Sequence, residues 1–252
     1  MKLAFCWVFV WLSGLAVADT GMLDNVFGED KRQAITSREY PWRAIGKINN
    51  GCTGTMVSRN LALTAAHCVI DPDTKQLKSN LTTFYPNYIN GSSQYSSTIS
   101  YVWWGTTDPD NYRADDWAIL LLATNLGDQV GWMGIKGNGD DYKTVSLAGY
   151  SDDVRGGETA GVHVGCQMRG PTTSGFFLHD CHTARGASGG PIFVMEGKEA
   201  FITGLNVAEY RGGGSKSLQL PKYSDDRANI SVSVKKFVGK VAELRQQYDS
   251  RK

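Results

Sequence analysis

The sequence has almost no excess charge of either sign, because 26 Lys and Arg residues nearly balance 25 Asp and Glu residues. A chain of this kind exerts no strong overall field on a polyanion. We therefore expect no nucleic-acid partner and no attraction to an anionic membrane surface. Internal repeats, low-complexity tracts and a phosphate-binding glycine loop are also lacking. Their absence argues against repeat proteins and nucleotide-binding proteins.

Long hydrophobic runs are scarce as well. The apolar stretch at residues 3–12 follows Lys2 and is ended by a Ser-Gly pair, and a small-residue Ala-Val-Ala sequence then reaches Ala18. A membrane anchor is the alternative interpretation, but this run is too short to cross about 30 Å of hydrocarbon. We expect residues 1–18 to be a secretory signal peptide. The mature chain is then predicted to be extracellular, or periplasmic in a Gram-negative bacterium, without membrane association.

Cysteine is limited to five residues, and the predicted cleavage removes Cys6. Four cysteines in an oxidising compartment permit three pairings. Their grouping favours two local bridges. In the chain-entropy model, each bridge stabilises the folded state by roughly 3 kcal/mol, because it closes a loop of about 15 residues in the unfolded chain. The predicted bridges join Cys52 to Cys68 and Cys166 to Cys181. A zinc site is the competing interpretation, but no Cys-x-x-Cys spacing occurs.

Short runs of Val, Ile, Thr and aromatic residues alternate with Gly, Asn, Asp and Ser clusters, which favours an all-β chain. The strand-like runs cover residues 42–48, 53–57, 61–64, 98–104, 117–122, 144–148, 161–166, 175–179, 191–195 and 200–207. Residues 127–141, with five glycines, form the predicted link between the two halves. After Ser233, a plausible N-cap, apolar residues recur at helical spacing from Val234 to Leu244 and predict one C-terminal helix packed on a barrel.

Three local patterns contain residues suited to nucleophilic catalysis, in the order His, Asp, Ser. Residues 64–68 read Thr-Ala-Ala-His-Cys, residues 116–120 read Asp-Trp-Ala-Ile-Leu, and residues 186–191 read Gly-Ala-Ser-Gly-Gly-Pro. A serine hydroxyl needs a neutral imidazole to accept its proton, and a carboxylate to orient that imidazole. We predict that Ser188, His67 and Asp116 have these roles. The Gly186 and Ser188 amides are the predicted oxyanion donors, since a tight glycine turn can aim both.

Each pattern also has an ordinary structural explanation. A single buried histidine or a single glycine-rich turn is common, whereas all three in order are not. Asp115 competes with Asp116 for the carboxylate role. His179 and His182 flank Cys181 and could suggest a metal site, but a pocket wall or a surface role is favoured for both.

Together these segments resemble the chymotrypsin-like serine peptidase family, whose signatures are Thr-Ala-Ala-His-Cys and Gly-Asp-Ser-Gly-Gly-Pro. The resemblance extends over about residues 28–248, and residues 28–32 and 41–46 look most like the secreted glutamyl-endopeptidase-like branch. It implies two six-stranded antiparallel β-barrels, the first at residues 41–130 with His67 and Asp116, and the second at 131–252 with Ser188. Residues 19–40 would be an arm or a short pro-segment.

The sequence departs from the family at two positions. Ala187 replaces the aspartate that trypsin-like enzymes pair with a newly formed N-terminus, so that ion pair is not possible here. Asn206 occupies the position where glutamyl endopeptidases have a pocket histidine, whereas Thr183 matches a pocket threonine of that branch. We expect Thr183, His182 and Asn206 to line the specificity pocket, with a relaxed or polar preference.

The resemblance implies a monomeric serine endopeptidase that acts on protein or peptide substrates. The chemistry of a Ser-His-Asp triad requires no metal and no organic cofactor. A catalytically silent binding protein on the same fold is the alternative, because a fold alone does not establish activity.

Overall fold

The computed structural model describes residues 25–211, 222–225 and 227–249. The predicted signal peptide lies outside the described residues. In chain order the strands are β1 (Gln33–Ala34), β2 (Ile45–Ile48), β3 (Thr53–Met56), β4 (Leu61–Thr64), β5 (Thr83–Pro86), β6 (Ser97–Trp104), β7 (Ala118–Leu122), β8 (Gly134–Ile135), β9 (Thr144–Gly149), β10 (Gly161–Pro171), β11 (Phe177–His179), β12 (Pro191–Glu196), β13 (Glu199–Arg211) and β14 (Arg227–Ser233). The α-helices are α1 (Ala66–Val69), α2 (Gly127–Val130) and α3 (Val238–Tyr248).

The first barrel closes in the order β2-β3-β4-β7-β6-β5, with every pair antiparallel. Its strands are short, and large apolar side chains such as Ile45, Leu63, Phe84 and Leu120 are fully buried. Burying these side chains is the main favourable contribution to the stability of a barrel of this size.

The second barrel runs β10-β11-β14-β13-β12-β9 and closes because β9 also pairs with β10. Two short strands extend it: β1 pairs with β10, and β8 lies parallel to β13. The two six-stranded antiparallel barrels confirm the predicted all-β fold.

The beginning of the first barrel differs from the prediction of a strand over residues 42–48. A 3-10 helix occupies Trp42–Ala44, and the strand begins only at Ile45. Pro41, whose φ of −87° and ψ of −7° are helical, starts the turn because its ring restricts φ to helix-compatible values. The Trp42 ring then packs edge-on against Phe193 of the second barrel.

The C-terminal helix confirms the prediction made from apolar spacing. The Ser233 hydroxyl accepts a hydrogen bond from the Lys235 amide at 3.2 Å, a 3-10 turn follows, and α3 begins at Val238. The buried side chains of this segment are Val234, Phe237, Val241 and Leu244.

The C-terminal helix is also tied to the first barrel. Arg245 donates from Nε to the Val57 carbonyl at 2.8 Å, and Tyr248 lies edge-on to Trp103. In the described part of the chain, no helix has the length and apolar content to cross a membrane.

Candidate active site

A cleft of about 1190 Å³ brings together residues of both barrels. His67 and Asp116 line it from the first barrel, and Ser188, Thr183 and Asn206 from the second. Typical small-molecule pockets have volumes of about 300–1,000 Å³. The volume is therefore sufficient for an extended peptide segment.

His67 is held at the start of α1, directly after β4. Its neighbours Ala66 and Cys68 are fully buried, and Cys68 is disulfide-bonded to Cys52, one of the two predicted pairings. The backbone therefore fixes the histidine, while its side chain keeps 34% of its surface exposed. Because the first amides of a helix have no intrahelical acceptor, the His67 N–H can bond elsewhere.

Asp116 supplies that acceptor and also holds the imidazole. Its Oδ1 accepts the His67 backbone N–H at 2.9 Å, and its Oδ2 lies 2.8 Å from Nδ1 of the same residue. With a carboxylate at Nδ1, the ring proton belongs there and Nε2 is left as a base. The Asp116 side chain is only 4% exposed, so water screens this contact weakly. Asp115 instead pairs with Lys236 on the surface, at 2.9 Å.

Ser188 lies in a turn whose geometry requires glycine. Gly186 has a φ of +95°, and a Cβ atom there would lie 2.2 Å from the Tyr150 carbonyl oxygen. Gly189 has a φ of +81°, and its Cβ would lie 2.3 Å from the Thr53 carbonyl oxygen. Each residue would therefore be both strained and obstructed by a larger side chain.

Two amides of this turn have no acceptor among the described residues. The neighbouring amides are engaged, since Ala187 donates to Ala184 at 3.1 Å and Gly189 donates to Asn206 at 2.8 Å. Neither the Gly186 nor the Ser188 N–H donates to any group in the described residues. Two unengaged amides beside one serine match the requirement for binding a developing oxyanion.

The Ser188 hydroxyl is not hydrogen-bonded to the imidazole. In the described part of the chain, its Oγ contacts the Val207 carbonyl at 3.5 Å, and His67 Nε2 lies 3.8 Å from the Cys68 sulfur. The cleft thus brings the three predicted residues together, but the contact between serine and histidine is open. Such contacts are often long in ligand-free sites.

Thr183 and Asn206 lie together beside Ser188, and both are buried. The two amide hydrogens of Asn206 are engaged, since Nδ2 donates to the Ala187 carbonyl at 3.0 Å and to Thr183 Oγ1 at 3.4 Å. Its Oδ1 lies 3.2 Å from Nε2 of the fully buried His179. Burial lowers the pKa of His179 to about 4, so the imidazole behind the pocket is neutral. Asn206 therefore orients Thr183, and the threonine hydroxyl keeps its own proton to donate.

His182 does not line this cleft, which corrects its assignment to the specificity pocket. Its Nδ1 accepts the Lys31 N–H at 3.1 Å, and its Nε2 donates to the Phe27 carbonyl at 3.1 Å. Because side chains in an extended chain alternate in direction, Thr183 faces the cleft while His182 faces away. Burial lowers the pKa of His182 and favours the neutral ring that these two bonds require.

Asn25 lines the cleft and was not predicted from the sequence. Its carbonyl accepts the Thr183 N–H at 3.3 Å and the Asn229 side-chain amide at 3.2 Å. The next residue, Val26, is completely buried, and β1 continues the arm along the second barrel. No local pattern marks Asn25, because its partners lie more than 150 residues later in the chain.

The second predicted disulfide, Cys166 to Cys181, is also present. It connects β10 to the segment after β11, next to His182. In the described residues, one cluster of potential metal-ligating atoms occurs, formed by Cys52, His67 and Cys68. Because both cysteines are in a disulfide, they offer no thiolate, so this cluster does not suit a metal ion.

Two closed β-barrels with a cleft between them that contains Ser, His and Asp are the architecture of the chymotrypsin-like serine peptidases. A family model described as Trypsin matches residues 29–223. The chain therefore belongs to the trypsin family, and its relatives place it near the glutamyl-endopeptidase branch.

Among the curated relatives, the glutamyl endopeptidase of Bacillus licheniformis is 27% identical over 192 residues, which cover 72% of this chain and 58% of that protein. The extracellular metalloprotease of Bacillus subtilis is 32% identical over 149 residues, covering 52% of this chain and 44% of that protein. The matches thus span about half the length of these relatives.

A solved structure described as a Glu endopeptidase in complex with MPD is similar in fold. It superposes with a TM-score of 0.70 at 20% identity and covers 88% of this chain and 99% of that one.

Proposed function

We propose that this protein is a secreted serine endopeptidase that hydrolyses peptide bonds of protein or peptide substrates through an acyl-enzyme intermediate. The observation that carries the proposal is the placement of Ser188 in one cleft with an imidazole that Asp116 holds by two hydrogen bonds. Family membership supports the reaction class. The two disulfides fit secretion, because such bonds persist in oxidising compartments.

The first step is attack by Ser188 Oγ on the scissile carbonyl carbon. The hydroxyl leaves the Val207 carbonyl by rotation about its Cα–Cβ bond and gives its proton to His67 Nε2. Asp116 keeps the proton on Nδ1 and stabilises the imidazolium. The imidazolium then protonates the leaving amine, and the acyl group stays on Ser188. Water, deprotonated by His67, releases the acid product and restores the serine.

The Gly186 and Ser188 amides bind the oxyanion in both steps. Losing a single donor of this kind costs about 10²–10³ in turnover in a well-studied protease. These reactions need neither a metal nor an organic cofactor, since the charge that develops is stabilised by amides and by the carboxylate.

We further propose that residues 41–130 and 131–252 are the two barrel units and that the enzyme acts as a monomer. We also propose that N-terminal processing occurs before Asn25, because cleavage after it would create a charged N-terminus at the buried Val26 and remove the contacts of Asn25 with Thr183 and Asn229. The buried Ala187 offers no carboxylate to a new N-terminus, so activation does not depend on an ion pair beside Ser188.

The residue before the scissile bond is placed in the pocket of Thr183, Asn206 and Asn25. Among the described residues, Thr183, Asn206 and Asn25 give this pocket hydroxyl and amide groups and no cation, since His182 faces away. A relaxed or polar preference follows, instead of strict cleavage after glutamate.

A catalytically silent binding protein is the second candidate, favoured by the open contact between Ser188 and His67. A fluorophosphonate probe separates the two, because it reacts with a serine that a base activates. We expect labelling at Ser188 in the wild-type protein, and none in Ser188→Ala or His67→Ala. A folded wild-type protein that stays unlabelled while it binds peptides would contradict the endopeptidase proposal.

A further inference from the structure

Two cations flank the proposed catalytic residues from opposite walls of the cleft. Arg185 directly precedes Gly186 on the second barrel, and its side chain is 94% exposed. Lys78 follows α1 on the first barrel, and its Nζ donates to the His67 carbonyl at 2.8 Å. Both line the cleft, so a bound chain would pass between them.

The segments that carry both cations adjoin the Cys52–Cys68 disulfide. A Cβ on Gly186 would lie 3.3 Å from the Gly51 carbonyl oxygen, next to Cys52. Lys78 is joined to the segment of Cys68 through Val69, whose carbonyl accepts the Lys78 N–H at 2.8 Å. In the proposed reaction the leaving amine lies beside His67, because that ring protonates it. The residues after the scissile bond therefore pass Arg185 and Lys78.

The guanidinium of Arg185 has unused donors. Within the described residues, its Nε lies 3.8 Å from Asp152 Oδ2, beyond hydrogen-bonding distance, and Asp152 is itself 46% exposed. The terminal nitrogens can therefore donate two hydrogen bonds to a carboxylate, in the paired geometry that arginine favours. Lys78 uses one of its three hydrogens on His67.

Asp71 and Asp115, two carboxylates near the cleft, already have partners. Asp71, close to Lys78, accepts hydrogen bonds from Asp73 and Thr74. Asp115 pairs with Lys236 at 2.9 Å. The residue before it, Ala114, lies near Gly175 of the second barrel. Among the described residues, Lys78 forms no ion pair and the contact of Arg185 with Asp152 is long, at 3.8 Å, so positive charge remains near the leaving group.

We propose that Arg185, assisted by Lys78, selects acidic side chains at the first two positions after the scissile bond. This inference rests on the proposed function and names a specificity determinant for it. An acidic substrate side chain would pair with Arg185 at the surface of the cleft. Because exposed ion pairs are weak, the selection is modest, about fivefold for glutamate over glutamine.

The test uses peptide sets that keep the residue before the scissile bond constant and place Glu, Gln or Lys at either of the next two positions. Competition experiments read by mass spectrometry give the ratio of kcat/KM values within each enzyme, so a change in overall activity cancels. We expect a Glu-to-Gln ratio of about 5 for wild type, about 1 for Arg185→Gln, and a preference for Lys in Arg185→Glu. Raising the salt to 1 M, where the screening length is about 3 Å, should reduce the wild-type ratio.

The matched control is Lys198→Gln, which removes the same charge from the exposed turn between β12 and β13. Its Glu-to-Gln ratio should equal that of wild type. A wild-type ratio near 1, or an equal loss in Lys198→Gln, would overturn the inference and leave the endopeptidase proposal intact.

A binding measurement keeps the two proposals separate. Fluorescence anisotropy of the same peptides with Ser188→Ala should show tighter binding of the Glu peptide, lost in the Ser188→Ala/Arg185→Gln double variant. If wild type cuts no peptide but this selective binding occurs, the selectivity stands and the endopeptidase proposal falls. If neither cleavage nor selective binding occurs, both fall.

Discussion

The two barrels have the same strand order but different interiors. In the strands of the first barrel, the buried polar side chains are the hydroxyls of Thr53, Thr55, Thr64 and Ser97. The second barrel and its connections, as far as the structure describes them, bury three histidines and the amides of Asn206 and Asn229. The buried carboxylate near the cleft, Asp116, comes from the first barrel. The first barrel thus provides a charge, and the second a neutral polar network.

This difference divides the proposed chemistry between the barrels. The first barrel holds the base and the group that orients it, both on short segments next to a disulfide. The second holds the nucleophile, the oxyanion donors and the specificity pocket. The N-terminal arm also packs on the second barrel, where the Arg32 side chain, 3% exposed, lies between Asp30 and Asp153. Hydrogen bonds from Arg32 outweigh the opposing effect of burial and lower the pKa of Asp30 to about 2.

Removing the nucleophile should give the largest effect. Ser188→Ala is expected to fold, because the smaller side chain loses only a long contact with Val207, and to lose turnover by on the order of 10⁶, as in the subtilisin series. The measurement is kcat on a cleaved peptide, with circular dichroism as the control for folding. Substantial activity in the purified variant would exclude Ser188 as the nucleophile.

The first-barrel counterpart is Asp116→Asn, with a smaller expected loss of about 10⁴ in kcat, as in the trypsin template. The amide can donate to Nδ1 and so favours the tautomer that lacks a base at Nε2. Fluorophosphonate labelling at Ser188 should slow in parallel. If Asp116→Asn kept full activity while Asp115→Asn lost it, the carboxylate assignment would be wrong.

The site could be predicted to the extent that its signals are local. His67, Asp116 and Ser188 each lie in a short pattern, and the structure brings all three patterns to one cleft. Turn residues predict the all-β fold, and apolar spacing predicts the C-terminal helix. These features depend on a few neighbouring residues, so the chain itself carries the information.

The remainder depends on contacts between distant segments. Asn25 reaches the pocket only through its bonds with Thr183 and Asn229, which no local pattern predicts. Neighbouring side chains of an extended chain point in opposite directions, so His182 and Thr183 cannot both line the pocket. The sequence does not show which of the two faces it. The apolar residues at 42–48 fit a strand, so the sequence pattern does not predict the 3-10 turn that Pro41 starts at Trp42–Ala44.

Acid should destabilise the second barrel first. Burial lowers the pKa values of His163 and His179 from 6.5 to about 4, so the unfolded chain binds more protons between these values. The free energy of unfolding should therefore fall by a few kcal/mol as the pH decreases through this window. Asp30 does not contribute in this window, because its pKa is about 2 in the folded protein and 3.8 without the contacts of the fold, both below the window.

Urea unfolding at pH 7 and pH 5 measures this loss. His163→Gln should reduce the difference in unfolding free energy between pH 7 and pH 5, because glutamine does not titrate. Its amide oxygen can accept the backbone N–H of His182, which now donates to His163 Nδ1. Hydrogen exchange, corrected for intrinsic rates, should show earlier opening in β10 and β11 than in β4 and β7. Equal unfolding free energies at both pH values would contradict a neutral histidine network.

The smallest expected effect tests whether the pocket is as neutral as the barrel around it. A glutamate before the scissile bond would meet the Thr183 hydroxyl and Asn25, while the Asn206 hydrogens stay on Ala187 and Thr183. A hydrogen bond to a charged acceptor is worth only about 1 kcal/mol more than one to a neutral acceptor. Glutamate should therefore be preferred over glutamine by less than about tenfold, and Thr183→Val should bring the ratio near 1. Thr144→Val, an exposed change on β9, is the control. A preference above about 10³-fold would require a cation in the pocket. Neither His182, which faces away, nor the neutral, buried His179 provides one. Such a preference would therefore contradict the assignment of a neutral polar network to the second barrel.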